Sequence, residues 1–116
     1  MCLADNSHSI YVASNAVACN RDEPADVYGY VSVHWLPYLI SKGPEGYVSE
    51  LFIHPSSRGQ GIGSALLETA ITEARQRGCS RMRLLNMRDR ESYLRGFYKK
   101  HGWEEREDAA TFQLAL

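Results

Sequence analysis

The apolar and polar positions in the first third of the chain form two stretches typical of β-strands, with a polar stretch between them. Residues 9–19 and 27–36 are rich in β-branched and aromatic side chains, and the polar stretch 20–26 separates them. Such side chains favour a pleated, half-buried strand, whereas a stretch rich in Asp, Asn and Pro favours a turn. The pattern therefore predicts a hairpin or meander.

The middle of the chain predicts a turn and a strand, followed by a helix. A turn at 42–46 and a strand at 47–53 precede Pro55, which cannot donate to a sheet ladder. Apolar residues then recur every three to four positions over 61–77, which predicts a helix that Gly78 ends. The stripe consists of Ile62, Ala65, Leu66, Ala70 and Ala74.

The last third predicts one more strand, one more helix and a final pair of strands. Residues 81–86 alternate like a strand, and 91–101 carry aromatic residues at helical spacing before Gly102. The terminal pair is expected around Trp103 and over 111–116. The predicted order is therefore strand, strand, strand, helix, strand, helix, strand, strand.

The composition limits the chain to a few classes. With 116 residues, 44% of them hydrophobic, it can bury one core, so we expect a single domain over 1–116. No apolar run is long enough for a membrane span, and no signal peptide is recognisable, so we expect a cytoplasmic protein. The three cysteines form no Cys-x-x-Cys pair, and the four histidines are scattered. Neither a disulfide framework nor a metal site is predicted.

A glycine-rich turn joins the third predicted strand to the first helix. It reads Arg58-Gly59-Gln60-Gly61-Ile62-Gly63. Glycines let the backbone bend and approach a ligand closely, and the N-terminus of a helix carries partial positive charge. The turn therefore predicts an anion-binding site.

Two nucleotide-binding motifs do not fit this turn. A dinucleotide-binding Gly-x-Gly-x-x-Gly that starts at Gly59 requires a third glycine at position 64, which is Ser64. A nucleoside-triphosphate loop needs Lys and then Ser or Thr after its last glycine, but Ser64 and Ala65 follow Gly63. From the residues alone, the remaining alternative is a turn that merely connects a strand to a helix.

The charges are unevenly distributed, although the net charge is only −1. Residues 1–57 and 102–116 are acidic overall, whereas 58–101 carry an excess of Arg and Lys. A basic segment that begins at the glycine turn suits a ligand with several phosphates, and an acidic first half suits a cationic acceptor. The same arginines also fit the solvated faces of a helix end and a strand. We do not expect nucleic acid as a partner, because the basic residues cluster beside the turn.

The turn resembles the coenzyme A signature of the GCN5-related N-acetyltransferase (GNAT) family, which is written Arg/Gln-x-x-Gly-x-Gly/Ala. The order of elements is similar to that family from its second strand onward. The resemblance implies an α/β fold with a mixed, mostly antiparallel sheet flanked by helices, lacking the usual N-terminal strand and two helices. It also implies acetyl-CoA as the cosubstrate.

By the same resemblance, the strand, the turn and the start of the helix together hold the cosubstrate. In the family this strand splays from its neighbour, pairs its backbone with the pantetheine arm and supplies an amide for the oxyanion. The implied binding residues are Leu51, Phe52, Ile53, Arg58, Gly59, Gln60, Gly61, Ile62, Gly63 and Ser64.

The resemblance further implies two catalytic residues. Glu50 lies where the family often keeps a glutamate as general base, and strand alternation would place it beside Val48 and Phe52 in partly apolar surroundings. Tyr98, within residues 96–103, matches the family's Phe-Tyr-x-x-x-Gly-Phe pattern, whose tyrosine protonates the departing sulfur. From the residues alone, Glu50 also fits a solvent-facing charge and Tyr98 a core aromatic with a polar end.

These expectations combine into an N-acetyltransferase that moves an acetyl group from acetyl-CoA to a primary amine by direct attack. The alternative is a non-catalytic acyl-CoA-binding module of the same fold. The acceptor stays open among a polyamine, an amino sugar, an amino acid and a protein lysine. We also expect a homodimer without membrane contact, since an uncovered opening strand would leave an edge and apolar surface exposed.

Overall fold

The computed structural model describes residues 7–14, 27–37 and 43–116. The chain divides into two compact units, here called the sheet unit, which ends at Leu85, and the C-terminal unit, Asn86–Leu116. The predicted turn at 20–26 and the end of the first predicted strand lie outside the described residues.

The sheet unit contains a four-stranded sheet with the order β1-β2-β3-β4. The strands are β1 His8–Ser14, β2 Val27–Leu36, β3 Glu45–Ile53 and β4 Arg81–Leu84. β1 pairs antiparallel with β2 and β2 with β3, whereas β3 and β4 run parallel. The predicted mixed, mostly antiparallel sheet is therefore confirmed.

One boundary prediction was wrong, because β3 begins at Glu45 and not at Tyr47. Gly46 was assigned to a turn, yet it lies inside the strand opposite Trp35. A Cβ atom at Gly46 would come within 2.8 Å of the Trp35 ring and 3.3 Å of Met82. The glycine is thus required by close packing within the strand and not by a turn.

Helix α1, Ile62–Gln76, packs one apolar stripe against the sheet. The buried core consists of Val31, Val33, Trp35 and Val48 from the strands, with Leu66, Leu67, Ala70 and Ala74 from the helix. The predicted stripe was partly wrong, since Ala65 is exposed and Leu67 is fully buried. Leu67, Ala70 and Ala74 are spaced by three and four residues, which is the spacing that shares one helix face.

The end of α1 confirms the predicted glycine cap. Gly78 has a φ of 72° and donates to the carbonyl of Arg75 at 3.1 Å, while the Cys79 amide donates to Ala74 at 3.0 Å. These two bonds form a Schellman motif, which requires the left-handed conformation that glycine adopts at little cost. The helix therefore stops one turn before β4.

A polar cluster on Glu73 ties α1 to the first strand. The Glu73 carboxylate accepts hydrogen bonds from Ser9 at 2.9 Å, from Tyr11 and from Arg77. Ser9 in turn accepts a hydrogen bond from the indole of Trp35 at 3.0 Å. The helix is thus fixed to the sheet by directional bonds as well as by apolar contacts.

The pKa values of this cluster follow from those bonds. Burial alone would raise the pKa of Glu73, but the hydrogen bonds from Tyr11, Arg77 and Ser9 outweigh it and the pKa is lowered. Burial and the hydrogen bond to Glu73 raise the pKa of Tyr11 to about 12. Glu73 is therefore charged and Tyr11 neutral at physiological pH.

The C-terminal unit contains two short helices, α2 Glu91–Leu94 and α3 Phe97–Lys100. The single helix predicted over 91–101 was wrong, because Gly96 has a φ of 68° and breaks it. The predicted terminal pair of strands is also absent from residues 103–116, where Phe112, Leu114 and Leu116 are exposed. Alternation indicates which residues suit a strand, but a strand forms only where a neighbour completes its ladder.

The Glu73 cluster predicts how stability depends on pH. Because the folded pKa of Glu73 is lowered, its contribution to the free energy of unfolding is complete above the ordinary carboxyl pKa and is lost as the pH falls through the folded value. We expect Glu73→Gln to destabilise the protein by about 2 kcal/mol at neutral pH. Urea unfolding at several pH values should show that the variant loses less stability on acidification than the parent protein. Glu68→Gln, at an exposed position of the same helix, is the control, and parallel pH profiles for the Glu73 variant and the parent would contradict this account.

Candidate active site

The glycine turn adopts the backbone conformation that an anion site requires. Gly59 and Gly61 have φ values of 79° and 77°, and a Cβ atom on either would meet no atom within 4 Å. Gly61 is the N-cap of α1, and no side chain caps the helix. The turn therefore presents open space directly at the positive end of a 15-residue helix.

The ten predicted cosubstrate residues lie on one continuous path from β3 through the turn into α1. Leu51 and Ile53 are half-buried and Phe52 is exposed at the end of β3. Arg58, Gly59, Gln60 and Gly61 are exposed in the turn, and Ile62, Gly63 and Ser64 are half-buried in the first turn of α1. The guanidinium Nε of Arg58 lies 3.4 Å from the carbonyl oxygen of Ile53, which joins the first residue of the turn to the end of β3.

The ladder between β3 and β4 ends before the candidate site. Its parallel pairs run from Glu45 with Arg81 to Val48 with Leu84, while β3 continues to Ile53 and, among the described strands, pairs there with β2 alone. At the other end of the ladder, where β3 begins, the buried carboxylate of Glu45 forms ion pairs with Arg81 and Arg83. The stretch from Leu51 to Ile53 thus extends beyond the part of β3 that β4 covers.

The surroundings predicted for Glu50 were partly wrong, since Val48 is not beside it. A register shift between Ser32 and Val33 pairs Ser32 with Glu50 and Val33 with Val48, so that Ser49 is an extra residue of β3. Simple alternation fails at such a bulge, and Val48 is buried while Glu50 is exposed. Glu50 consequently lies on the opposite face of the sheet from Val48, on the face that carries Phe52.

Sequence reasoning did not identify the partner of Glu50. The hydroxyl of Tyr30 on β2 donates a hydrogen bond to Oε2 of Glu50. This bond is the largest cause of a raised pKa for Tyr30, with the negative charge of Glu50 adding to it. Tyr30 lies opposite Phe52 in the antiparallel register, so only the register of the hairpin brings it to this place.

Tyr98 lies on α3 in the C-terminal unit and is half-buried. Its ring makes edge contacts with Phe97 at 5.0 Å and with Trp103 at 6.0 Å between centroids. Burial raises the pKa of Tyr98, and the charge of Arg95 opposes this rise. The phenol is therefore protonated at neutral pH, which a proton donor requires.

Residues 7–14, 27–37 and 43–116 contain neither a metal site nor a membrane-spanning helix. No group of three His, Cys, Asp or Glu side chains there can hold a metal ion, and no helix in these ranges is long and apolar enough to cross a membrane. Cys79 is a free thiol whose pKa is raised by burial. A raised pKa disfavours the thiolate, so this thiol is not activated as a nucleophile.

Comparison with known proteins identifies the family. The sequence model of the Acetyltransferase (GNAT) family matches residues 3–103, and the chain belongs to that family. An aminoalkylphosphonate N-acetyltransferase of Salmonella typhimurium is 36% identical over 81 residues, which are 69% of this chain and 51% of that protein. A thialysine N-epsilon-acetyltransferase of Bos taurus is 36% identical over 58 residues, which are 50% of this chain and 34% of that protein.

The fold is shared with solved structures. The crystal structure of a transcriptional regulator from Bacillus halodurans matches with a TM-score of 0.74 and 30% sequence identity, covering 96% of this chain and 69% of that one. This chain spans about a third to a half of the length of the two acetyltransferases named above. The family and the fold class expected from the sequence are thus confirmed.

Proposed function

We propose that this protein transfers an acetyl group from acetyl-CoA to a primary amine by direct attack. The observation that carries the proposal is the continuous path from Glu50 along the free end of β3 to the glycine turn at the start of α1. Membership of the GNAT family supports acetyl-CoA as the cosubstrate. The open turn suits its pyrophosphate, because exposed amides and a helix N-terminus attract an anion of that kind.

The free end of β3 suits the pantetheine arm. Residues 51–53 extend beyond the last pair with β4, so β4 does not occupy their backbone groups on that side, where the carbonyl of Ile53 contacts Arg58. An amide there is also a suitable donor to the oxyanion that forms when the thioester carbonyl is attacked. In other enzymes such a donor contributes roughly 3 kcal/mol to stabilising the transition state.

In this proposal the side chains of Glu50 and Tyr98 transfer the protons of the reaction. Glu50 takes the proton that the amine must lose, and the neutral nitrogen forms a bond to the carbonyl carbon. When the carbon–sulfur bond then breaks, the leaving thiolate takes a proton from the hydroxyl of Tyr98, and the second proton that the nitrogen loses on becoming an amide restores that hydroxyl. The raised pKa of Tyr98 keeps that proton in place until the thiolate appears.

The acidic first half of the chain suits a cationic acceptor, and the names of the relatives indicate which amines to test first. Two of these relatives are named for N-acetylation of thialysine and of aminoalkylphosphonates, so these amines come first in a test panel. A polyamine, an amino sugar, an amino acid and a lysine peptide complete it. Thiol release in the presence of acetyl-CoA reports turnover, and binding of acetyl-CoA without turnover of any amine would instead favour a non-catalytic acyl-CoA-binding module.

We further propose a cytoplasmic homodimer. Three cysteines without a paired motif suit a reducing compartment. Among the described residues β1 forms one edge of the sheet, and Ile10 and Val12 on it are about half exposed. A second copy is the commonest cover for such an edge. Light scattering at micromolar concentration should give twice the chain mass, and a monomer would contradict the dimer.

The glycine turn yields a prediction for binding. Gly61→Val should weaken acetyl-CoA binding by at least about tenfold, because the side chain fills the open space at the helix N-terminus and strains a φ of 77°. Gly61→Asn tolerates that φ better, so it separates occlusion from strain and should also bind weakly. Gly78→Asn, with a φ of 72° at the other end of α1, is the matched control. Titration calorimetry that finds the parent affinity in a folded Gly61→Val protein would overturn the assignment.

The two catalytic side chains yield a prediction for turnover. Tyr98→Phe should lower kcat about a hundredfold with little change in acetyl-CoA affinity, since it removes a proton and keeps the ring. Glu50→Gln should lower the rate most at neutral pH and less at high pH, where the amine loses its proton unaided. Tyr93→Phe, in the same unit as Tyr98, is the control. Steady-state rates that neither catalytic substitution changes would exclude both roles.

A further inference from the structure

An aromatic pair, made of the half-buried Tyr30 and the exposed Phe52, lies beside the carboxylate of Glu50. Tyr30 and Phe52 face each other across β2 and β3, with ring centroids 5.8 Å apart and planes tilted by 36°. Phe52 is 43% exposed, so its ring is open to a ligand as well as to Tyr30. The pair does not belong to the core, which lies on the opposite face of the sheet against α1.

The carboxylate and the ring pair are joined by the hydroxyl of Tyr30. This hydroxyl donates to Oε2 of Glu50, and Tyr30 is at the same time in ring contact with Phe52. An ionised carboxylate has acceptor positions for about four hydrogen bonds, so one bond from Tyr30 leaves most of them for other donors. Glu50 is thus held in one orientation with acceptor capacity to spare.

An aromatic pair next to an anchored carboxylate has a defined chemical preference. The faces of the rings attract a cation and pack against an alkyl chain, while the carboxylate accepts hydrogen bonds from an ammonium group. A neutral alcohol of the same shape gains only the apolar contact, and an anionic group is repelled. The combination favours an alkylammonium group.

We propose that Tyr30, Phe52 and Glu50 form the acceptor subsite, which receives the protonated head of an alkylamine. The rings of Tyr30 and Phe52 contact the carbons next to the nitrogen, and Glu50 holds the ammonium and then removes its proton. Tyr30 is in addition a positioning residue, since its hydroxyl fixes the carboxylate. This inference rests on the proposed function and names the residues that form its acceptor site.

Binding can be tested without turnover. The probes are n-pentylamine, which is protonated at pH 7, and 1-pentanol, with amide chemical shifts of the protein as the readout. The ammonium should bind about tenfold more tightly than the alcohol, and its shifts should centre on β2 and β3. Phe52→Leu and Tyr30→Leu should each weaken the ammonium about threefold and leave the alcohol nearly unchanged. Equal binding of the two probes, or ammonium binding that both variants retain, would overturn the subsite.

The positioning role of Tyr30 needs a second measurement. With any amine that is turned over, Tyr30→Phe should lower kcat about tenfold, because the ring stays and only the bond to Glu50 is lost. In a Glu50→Gln background the same substitution should cause no further loss, since there is no longer a base to position. Multiplying losses in the double variant would mean that Tyr30 acts independently of Glu50. Tyr28→Phe, which removes a hydroxyl two residues away on β2, is the matched control.

The two measurements separate this inference from the proposed function. Selective binding of pentylammonium that depends on Tyr30 and Phe52, without acetyl transfer to any amine, would support the subsite but contradict the proposed enzymatic function. Acetyl transfer that neither aromatic substitution changes would support the proposed function and contradict the subsite. Melting curves of each variant show that a loss reflects the site and not unfolding.

Discussion

The packing of α1 against the sheet is the constraint on which the candidate site depends. Leu67 and Ala70 are fully buried against a sheet face that includes Val31 and Val33, also fully buried. The Glu73 cluster adds a directional restraint, because its hydrogen bonds fix the rotation of the helix about its axis as well as its distance from β1. The N-terminus of α1 is the proposed anion site, so packing two to three turns further along the helix determines where the glycine turn presents its amides.

The sequence predicted the elements whose signals are local. The segment from β3 through the turn into α1 was recognisable because the glycine spacing, the helical periodicity and the Gly78 cap all depend on residues that are close together in sequence. Predictions failed where a distant residue decided the outcome. Gly46 belongs to a strand because Trp35 occupies the adjacent space, and Leu67 replaces Ala65 in the core because the exact face of α1 depends on the sheet.

The site shows the same division between local and distant information. The positions of residues 58–64 follow from the motif, whereas the bulge at Ser49 and the bond from Tyr30 to Glu50 follow from the register between β2 and β3. Register is a property of two strands together, and a one-residue shift sends each side chain to the other face. The terminal alternation over 111–116 failed for a related reason, since no neighbouring strand pairs with it in the described chain.

The early end of the β3–β4 ladder has a consequence for the energetics of a reaction cycle. If the pantetheine arm pairs with residues 51–53, then the ligand itself serves as the missing length of strand in the sheet. Those backbone bonds would be the same for acetyl-CoA and for the free coenzyme that leaves, so they would hold the product as firmly as the reactant and contribute nothing to the chemical step. A protein built in this way completes its sheet with its own substrate, and opening that sheet again becomes part of every turnover.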